Sequence, residues 1–142
     1  MKKTIALLAF LFMLTLTACG QKLTVNEVVG EWTGDSICRG SNKSCHDETV
    51  LYHFTAIKGD AAKVHLAADK LVAGKWELMG EFDLTIDGDK HTLMTEFPIP
   101  RTGGKGVITF TLAGDKMDGR MMIYPENELG REIHVTRKKD GK

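Results

Sequence analysis

Lys75-Trp76-Glu77-Leu78-Met79-Gly80-Glu81-Phe82-Asp83-Leu84-Thr85-Ile86 alternates its residue types with a period of two. Trp76, Leu78, Gly80, Phe82, Leu84 and Ile86 share one face, while Lys75, Glu77, Met79, Glu81, Asp83 and Thr85 share the other, which is nearly all polar. Successive side chains of an extended backbone point to opposite faces, so the pattern predicts a long strand with one side against a core. Gly80, in its middle, predicts a bend or bulge where the strand curves.

The same period recurs on both sides. Val50, Tyr52, Phe54 and Ala56 alternate with Leu51, His53 and Thr55, and Val64, Leu66 and Ala68 alternate with His65, Ala67 and Asp69. Leu93, Thr95 and Phe97 share a face, as do Ile108, Phe110 and Leu112, then Met117, Gly119, Met121 and Ile123, then Ile133 and Val135. Glu31 to Ile37 supplies a first strand, which makes eight. Turn-forming runs separate them: Lys58-Gly59-Asp60, Asp87-Gly88-Asp89, Ala113-Gly114-Asp115 and the longer stretch from Pro125 to Gly130. One helical turn is expected at Val25 to Val29, and no segment has the pattern of a longer amphipathic helix.

Eight sequential strands with short connections predict an all-β fold, an antiparallel up-and-down β-barrel, because closure removes exposed edges. A two-sheet sandwich is the alternative, and its Greek-key crossovers call for longer connections than the sequence offers. The inward face carries Tyr52, Phe54, Leu66, Trp76, Leu78, Phe82, Leu84, Leu93, Phe97, Phe110 and Met121. An eight-stranded barrel is either filled by such side chains or holds one small ligand. If it holds one, Tyr52, Phe54, Trp76, Phe82, Phe110 and Met121 are the candidate lining. Met117 and Met121, with Met79, Met94 and Met122, serve equally as an adaptable lining or as core filler.

At the other end of the scale is the N-terminus. Lys2 and Lys3 precede an apolar run from Ile5 to Leu16, followed by the small residues Thr17 and Ala18. This is the layout of a secretory signal, and the run is too short for a helix that must span about 20 residues of bilayer. Leu16-Thr17-Ala18-Cys19 resembles the lipobox of bacterial lipoproteins. The resemblance implies that residues 1–18 are a removed signal peptide and that Cys19 is acylated as the mature N-terminus, anchoring the chain in a membrane. Gly20 after Cys19, by that family's sorting rule, implies the outer membrane. Residues 19–29 then form the lipidated N-terminus and tether, and residues 30–142 the barrel domain.

Removing the signal leaves 124 of the 142 residues, enough for one core. Basic residues fall from 19 to 17 against 19 acidic, a near-neutral balance that offers no basic face for nucleic acid. With Cys19 taken by lipid, Cys38 and Cys45 remain as a pair in an oxidising compartment, where a disulfide is the expectation.

Gly30-Glu31-Trp32, opening the first strand after a short lead-in, resembles the Gly-x-Trp of the lipocalin and wider calycin families. There the Trp packs across the closed barrel end under an Arg from the last strand. Arg131 and Arg137 both have the inward parity of Ile133 and Val135, so the resemblance implies one of them for that place. The chain is short for a lipocalin and lacks the usual helix after the barrel. A second similarity covers Cys38 to His53, where Cys38, Cys45, Asp47-Glu48 and Val50-Leu51-Tyr52 are similar to a group of small secreted bacterial proteins; it implies no activity.

Chemistry is sparse. Cys38, Cys45, His46, Asp47, Glu48 and His53 form the densest set of metal-capable groups, but the spacing matches no zinc pattern, and a disulfide beside a polar turn accounts for it. His65, His91 and His134 fall on outward faces. No Gly-x-Ser-x-Gly exists, and the acid pairs Asp47-Glu48 and Glu126 with Glu128 sit in polar loops with nothing to raise a carboxyl pKa, so no catalytic residue and no cofactor are expected. Pro98 to Gly106 is glycine-rich, yet Lys105 is followed by Gly106 and a strand, which excludes a phosphate-binding P-loop and leaves a hairpin loop at a barrel mouth. The expectation is a non-enzymatic, outer-membrane-anchored binding module for a small apolar or amphipathic ligand. The alternative is an envelope protein with a solid barrel that acts through protein contacts, as an inhibitor or assembly accessory. A metal-handling role rests only on the 38 to 53 cluster.

Overall fold

The computed structural model describes residues 20–139, so the signal sequence and the acylation expected at Cys19 lie outside the described residues. One helical turn, α1 (Val25–Val28), leads into eight strands: β1 (Gly30–Cys38), β2 (Glu48–Ile57), β3 (Asp60–Val72), β4 (Lys75–Asp87), β5 (Thr92–Ile99), β6 (Gly104–Ala113), β7 (Lys116–Tyr124) and β8 (Glu128–Arg137). Each pairs antiparallel with its sequence neighbour, and β1 pairs with β8 to close an up-and-down barrel, the fold class that the alternation predicts.

The core is the barrel interior. Phe54, Val64, Leu66, Leu84, Leu93, Phe110 and Met117 are all essentially removed from solvent. Tyr52, Phe54 and Phe110 meet edge to face with centroids 5.9 to 6.5 Å apart, the geometry that ring quadrupoles favour. Gly119 on β7 makes room for this cluster, since a Cβ there would lie 2.6 Å from the Phe110 ring.

One end is sealed. The Glu27 carboxylate accepts the Thr24 backbone N–H at 2.8 Å and helps to start α1. Trp32 lies fully buried beneath the turn and donates its indole N–H to the Val28 carbonyl at 2.9 Å. The Arg137 guanidinium covers the Trp32 ring at 4.3 Å from its centroid and donates to the carbonyls of Val29, at 2.9 Å, and Glu27. Carbonyls that a helix end leaves without partners are thus satisfied by the plug itself. Leu23 and Val28 belong to the core as well, so the folded unit begins before Gly30 and the lead-in is not merely a tether.

Of the two arginines expected as barrel-end partners, Arg137 is the one on Trp32; Arg131 is a correction. Trp32 registers opposite Arg137 across β1 and β8, whereas Cys38 registers opposite Arg131 at the far end of the same pair. Parity alone could not distinguish them, because six residues along a strand restore the same face.

A second correction concerns Trp76 and Leu78. The pairing of β3 with β4 slips at Ala68: Gly80 registers with Ala68, Leu78 with Asp69, and Met79 is the extra residue of a bulge. An inserted residue reverses the face of everything beyond it. Trp76 and Leu78 consequently point outward, 44% and 59% exposed, and Met79 turns to the interior.

The barrel wall is uneven. β5 makes eight residue pairs with β6 but only three with β4, at Thr85–Met94, Ile86–Leu93 and Asp87–Thr92. Beyond Thr85 the two strands part, and the rings of Phe82 and Phe97 close the seam at 5.4 Å. Phe97 lies over Gly106, where a Cβ would collide with it.

Candidate functional site: the barrel interior at the open end

The mouth lies opposite the Trp32 plug. Cys38 and Cys45 are joined by a disulfide with Cα atoms 6.0 Å apart, tying the β1–β2 loop at the rim. Asp47 accepts the Cys38 backbone N–H at 2.8 Å, and Arg39 reaches Glu132 on β8 at 2.7 Å, so the loop is fastened on both sides.

Below the rim is a cavity of about 140 Å³. Leu66, Phe82, Phe97, Ile108, Phe110 and Met121 supply its apolar walls. Phe82, Phe110 and Met121 stand there as expected from the sequence, as does Tyr52. Phe54 does not: it is core filler deeper in the barrel, buried against Tyr52 and Phe110. Trp76 lines nothing, being on the outer surface beyond the bulge.

Charged groups gather at one side of this cavity, which the sequence reading missed. Arg131 donates to the Ser36 hydroxyl at 3.0 Å, to the Ser36 carbonyl at 3.3 Å and to the His46 carbonyl at 3.2 Å. Glu48 lies 3.6 Å from Arg131 and 3.3 Å from Lys70. The Arg131 and Glu48 side chains are only 19% and 17% exposed, so solvent screens this group less than a surface pair. Glu48, Lys70 and Arg131 are each in register with inward residues of their own strands: Val50 and Tyr52, Ala68 and Leu66, and Ile133. Three charges of inward parity near the same end of β2, β3 and β8 were the available signal.

Tyr52 lines the cavity and is 4% exposed. Burial pushes its phenol pKa well above the usual value; Arg131 opposes this and Glu48 adds to it. The hydroxyl therefore stays protonated and able to donate. Among the described residues it forms no side-chain hydrogen bond, and no fully enclosed side-chain oxygen or nitrogen lacks a partner, so the hydroxyl opens onto the cavity.

The polar residues between Cys38 and His53 do not converge. The two cysteines are bonded to each other, Glu48 turns into the mouth, and His53 lies on the outer wall between Glu31 and Asp69, 3.1 Å from each. Outside the barrel, His65 pairs with Asp83 at 2.8 Å and Glu81 at 3.4 Å, and His134 with Asp118 at 2.7 Å. The hydrogen bond that the His65 imidazole donates to Asp83 is the largest influence on its pKa and raises it; partial burial opposes this, and Glu81 adds to the rise. A wider hollow of about 670 Å³ between α1 and the β2–β3 turn is an open surface groove.

No family model matches the chain, and no curated protein matches it. The fold has a counterpart among solved structures. The chain is similar to secretory abundant heat soluble protein 4 from Ramazzottius varieornatus, with 14% identity and a TM-score of 0.53 over 80% of this chain and 96% of that one. At such identity the likeness is one of fold: a small β-barrel, here of eight strands.

Proposed function

We propose that this protein is an envelope lipoprotein whose barrel binds a small apolar or amphipathic ligand without transforming it. The observation that carries the reading is the interior cavity, apolar on most of its wall and polar on one side, at the end of the barrel opposite the Trp32 plug. Such a combination of greasy wall and few placed polar groups is what small-molecule sites offer. The lipobox resemblance at Leu16 to Cys19 supports lipid anchoring, with the outer membrane as destination.

Two experiments test the two halves. Native mass spectrometry of the domain purified from its own envelope, followed by organic extraction, should return a co-purifying small molecule; a clean apo mass with no uptake of small apolar probes would remove the binding reading. Cys19→Ala should leave an unprocessed or unanchored chain, and normal membrane fractionation of that variant would remove the anchor.

The second reading, a contact surface for another envelope protein, is favoured by one observation. The bulge at Met79 turns Trp76 and Leu78 outward, beside the exposed Leu71 that registers with Trp76. Aromatic and aliphatic groups side by side on an outer strand face are a feature of protein interfaces.

A further inference from the structure

We propose that the cavity's ligand is a compact carboxylate, of one ring or a short branched chain, with its anionic end received by Tyr52 and Arg131 and its body against Phe82, Phe97 and Met121. This rests on the binding reading above and adds its chemistry.

Three observations lead there. The first is the Tyr52 hydroxyl. It lines the cavity with no side-chain partner among the described residues, so its O–H is free to donate to whatever enters. The second is charge. Arg131 is the cation among the described side chains that line the cavity, and its neighbouring carboxylate, Glu48 at 3.6 Å, is shared with Lys70 at 3.3 Å. Arg131 has five N–H donors, and the Ser36 and His46 oxygens occupy only part of that set. An anion entering the cavity would be received there by a charge-assisted hydrogen bond.

The third observation is size. A cavity of about 140 Å³ is close to the roughly 150 Å³ that accommodates benzene and far below the roughly 300 Å³ at which drug-sized sites begin. Phe82 and Phe97, tilted against each other at the seam between β4 and β5, both line the cavity and leave a long chain little room inside it. The ligand is therefore short, with one polar end.

The chain from Gly20 onward contains the whole barrel, its core and its disulfide. Titrating it with benzoate, with the neutral isostere benzamide, with toluene and with dodecanoate, while following the methionine methyl resonances by NMR, reads the site directly. Met121 and Met79 line the cavity and should shift with benzoate, while Met117, buried at the plugged end, should not. Tyr52→Phe should weaken benzoate by about tenfold or more, the loss of a hydrogen bond to a charged group, with the Met117 signal unmoved as the sign of an intact core. Glu48→Gln, which removes the competing anion, should tighten benzoate and leave toluene unchanged.

Toluene or benzamide binding as tightly as benzoate would overturn the carboxylate assignment and leave the binding reading standing. Dodecanoate binding more tightly than benzoate would overturn the compact size. No shift of Met121 with any of the four would overturn both the proposal and the reading on which it rests.

Discussion

Replacing Arg137 by Met keeps an aliphatic stem over Trp32 and removes the guanidinium. The stem still covers part of the indole, so the loss falls on three interactions. Two are the bonds to the Val29 and Glu27 carbonyls. With Arg137 about a quarter exposed at 28%, each is placed at about 0.5–1.5 kcal/mol rather than at the upper end for a charged donor. The third is the cation over the Trp32 ring, worth about 0.5–2 kcal/mol. The contact with Asp115, on the surface, adds little. The variant should lose about 2–4 kcal/mol, read as a lower urea midpoint with an unchanged slope. Because both residues hold down the same turn, a cycle with Trp32→Phe should show coupling of about 0.5–2 kcal/mol. A loss under about 0.5 kcal/mol, or additive effects, would refute the view that Arg137 and Trp32 form one plug.

Gly119→Ala places a methyl group 2.6 Å from the Phe110 ring, and the overpacking should lower stability by about 1–3 kcal/mol in chemical denaturation; no loss would mean that the ring has room to move. Replacing Cys38 and Cys45 together by Ser should cost roughly 2–3 kcal/mol, the loop-closure contribution of a short staple, and an unchanged midpoint would show that the rim is held by its hydrogen bonds alone. His65 should titrate above its reference value of about 6.5 when followed by NMR, and Asp83→Asn should bring it down. Since the folded pKa is the raised one, the pair stabilises fully below the unfolded value and the contribution fades as pH rises through the folded one. An advantage of the native chain over Asp83→Asn that grew toward alkaline pH would contradict the pairing.

The strands were legible because each spends one face on the core and one on water, and the turns between them carry glycine where φ is positive, as at Gly59 and Gly114. What the alternation hides is any step that changes its phase. Gly80 marked the irregularity in β4 but not which residue would be added, and the bulge at Met79 sent Trp76 and Leu78 to the outside. The plug was legible from Gly30-Glu31-Trp32, while the choice between Arg131 and Arg137 depended on the stagger of β8 against β1, which closure of the whole barrel determines. The polar side of the cavity was harder. Glu48 reads as part of a polar turn beside the cysteines, and nothing in the sequence sets Lys70 apart from the other lysines. Their meeting with Arg131 is a contact between strands distant in sequence, and inward parity was its one trace.

The chain enters the barrel at the plugged end, where the Leu23 backbone N–H bonds to the Gly88 carbonyl at 3.0 Å. From Cys19 to Leu23 is four residues, a reach of at most about 14 Å. The thirteen residues of β3 cover about 40 Å along the strand, or about 30 Å along a barrel axis from which strands tilt by about 40°. On the proposed acylation of Cys19, the leash is therefore shorter than the body it holds. An acylated chain would hold the barrel with its base to the bilayer and its mouth toward the aqueous space beyond. Cargo would then be collected from solution or from a facing partner rather than drawn up from the lipid underneath, and Trp76 and Leu78 would be carried on the side that such a partner meets first.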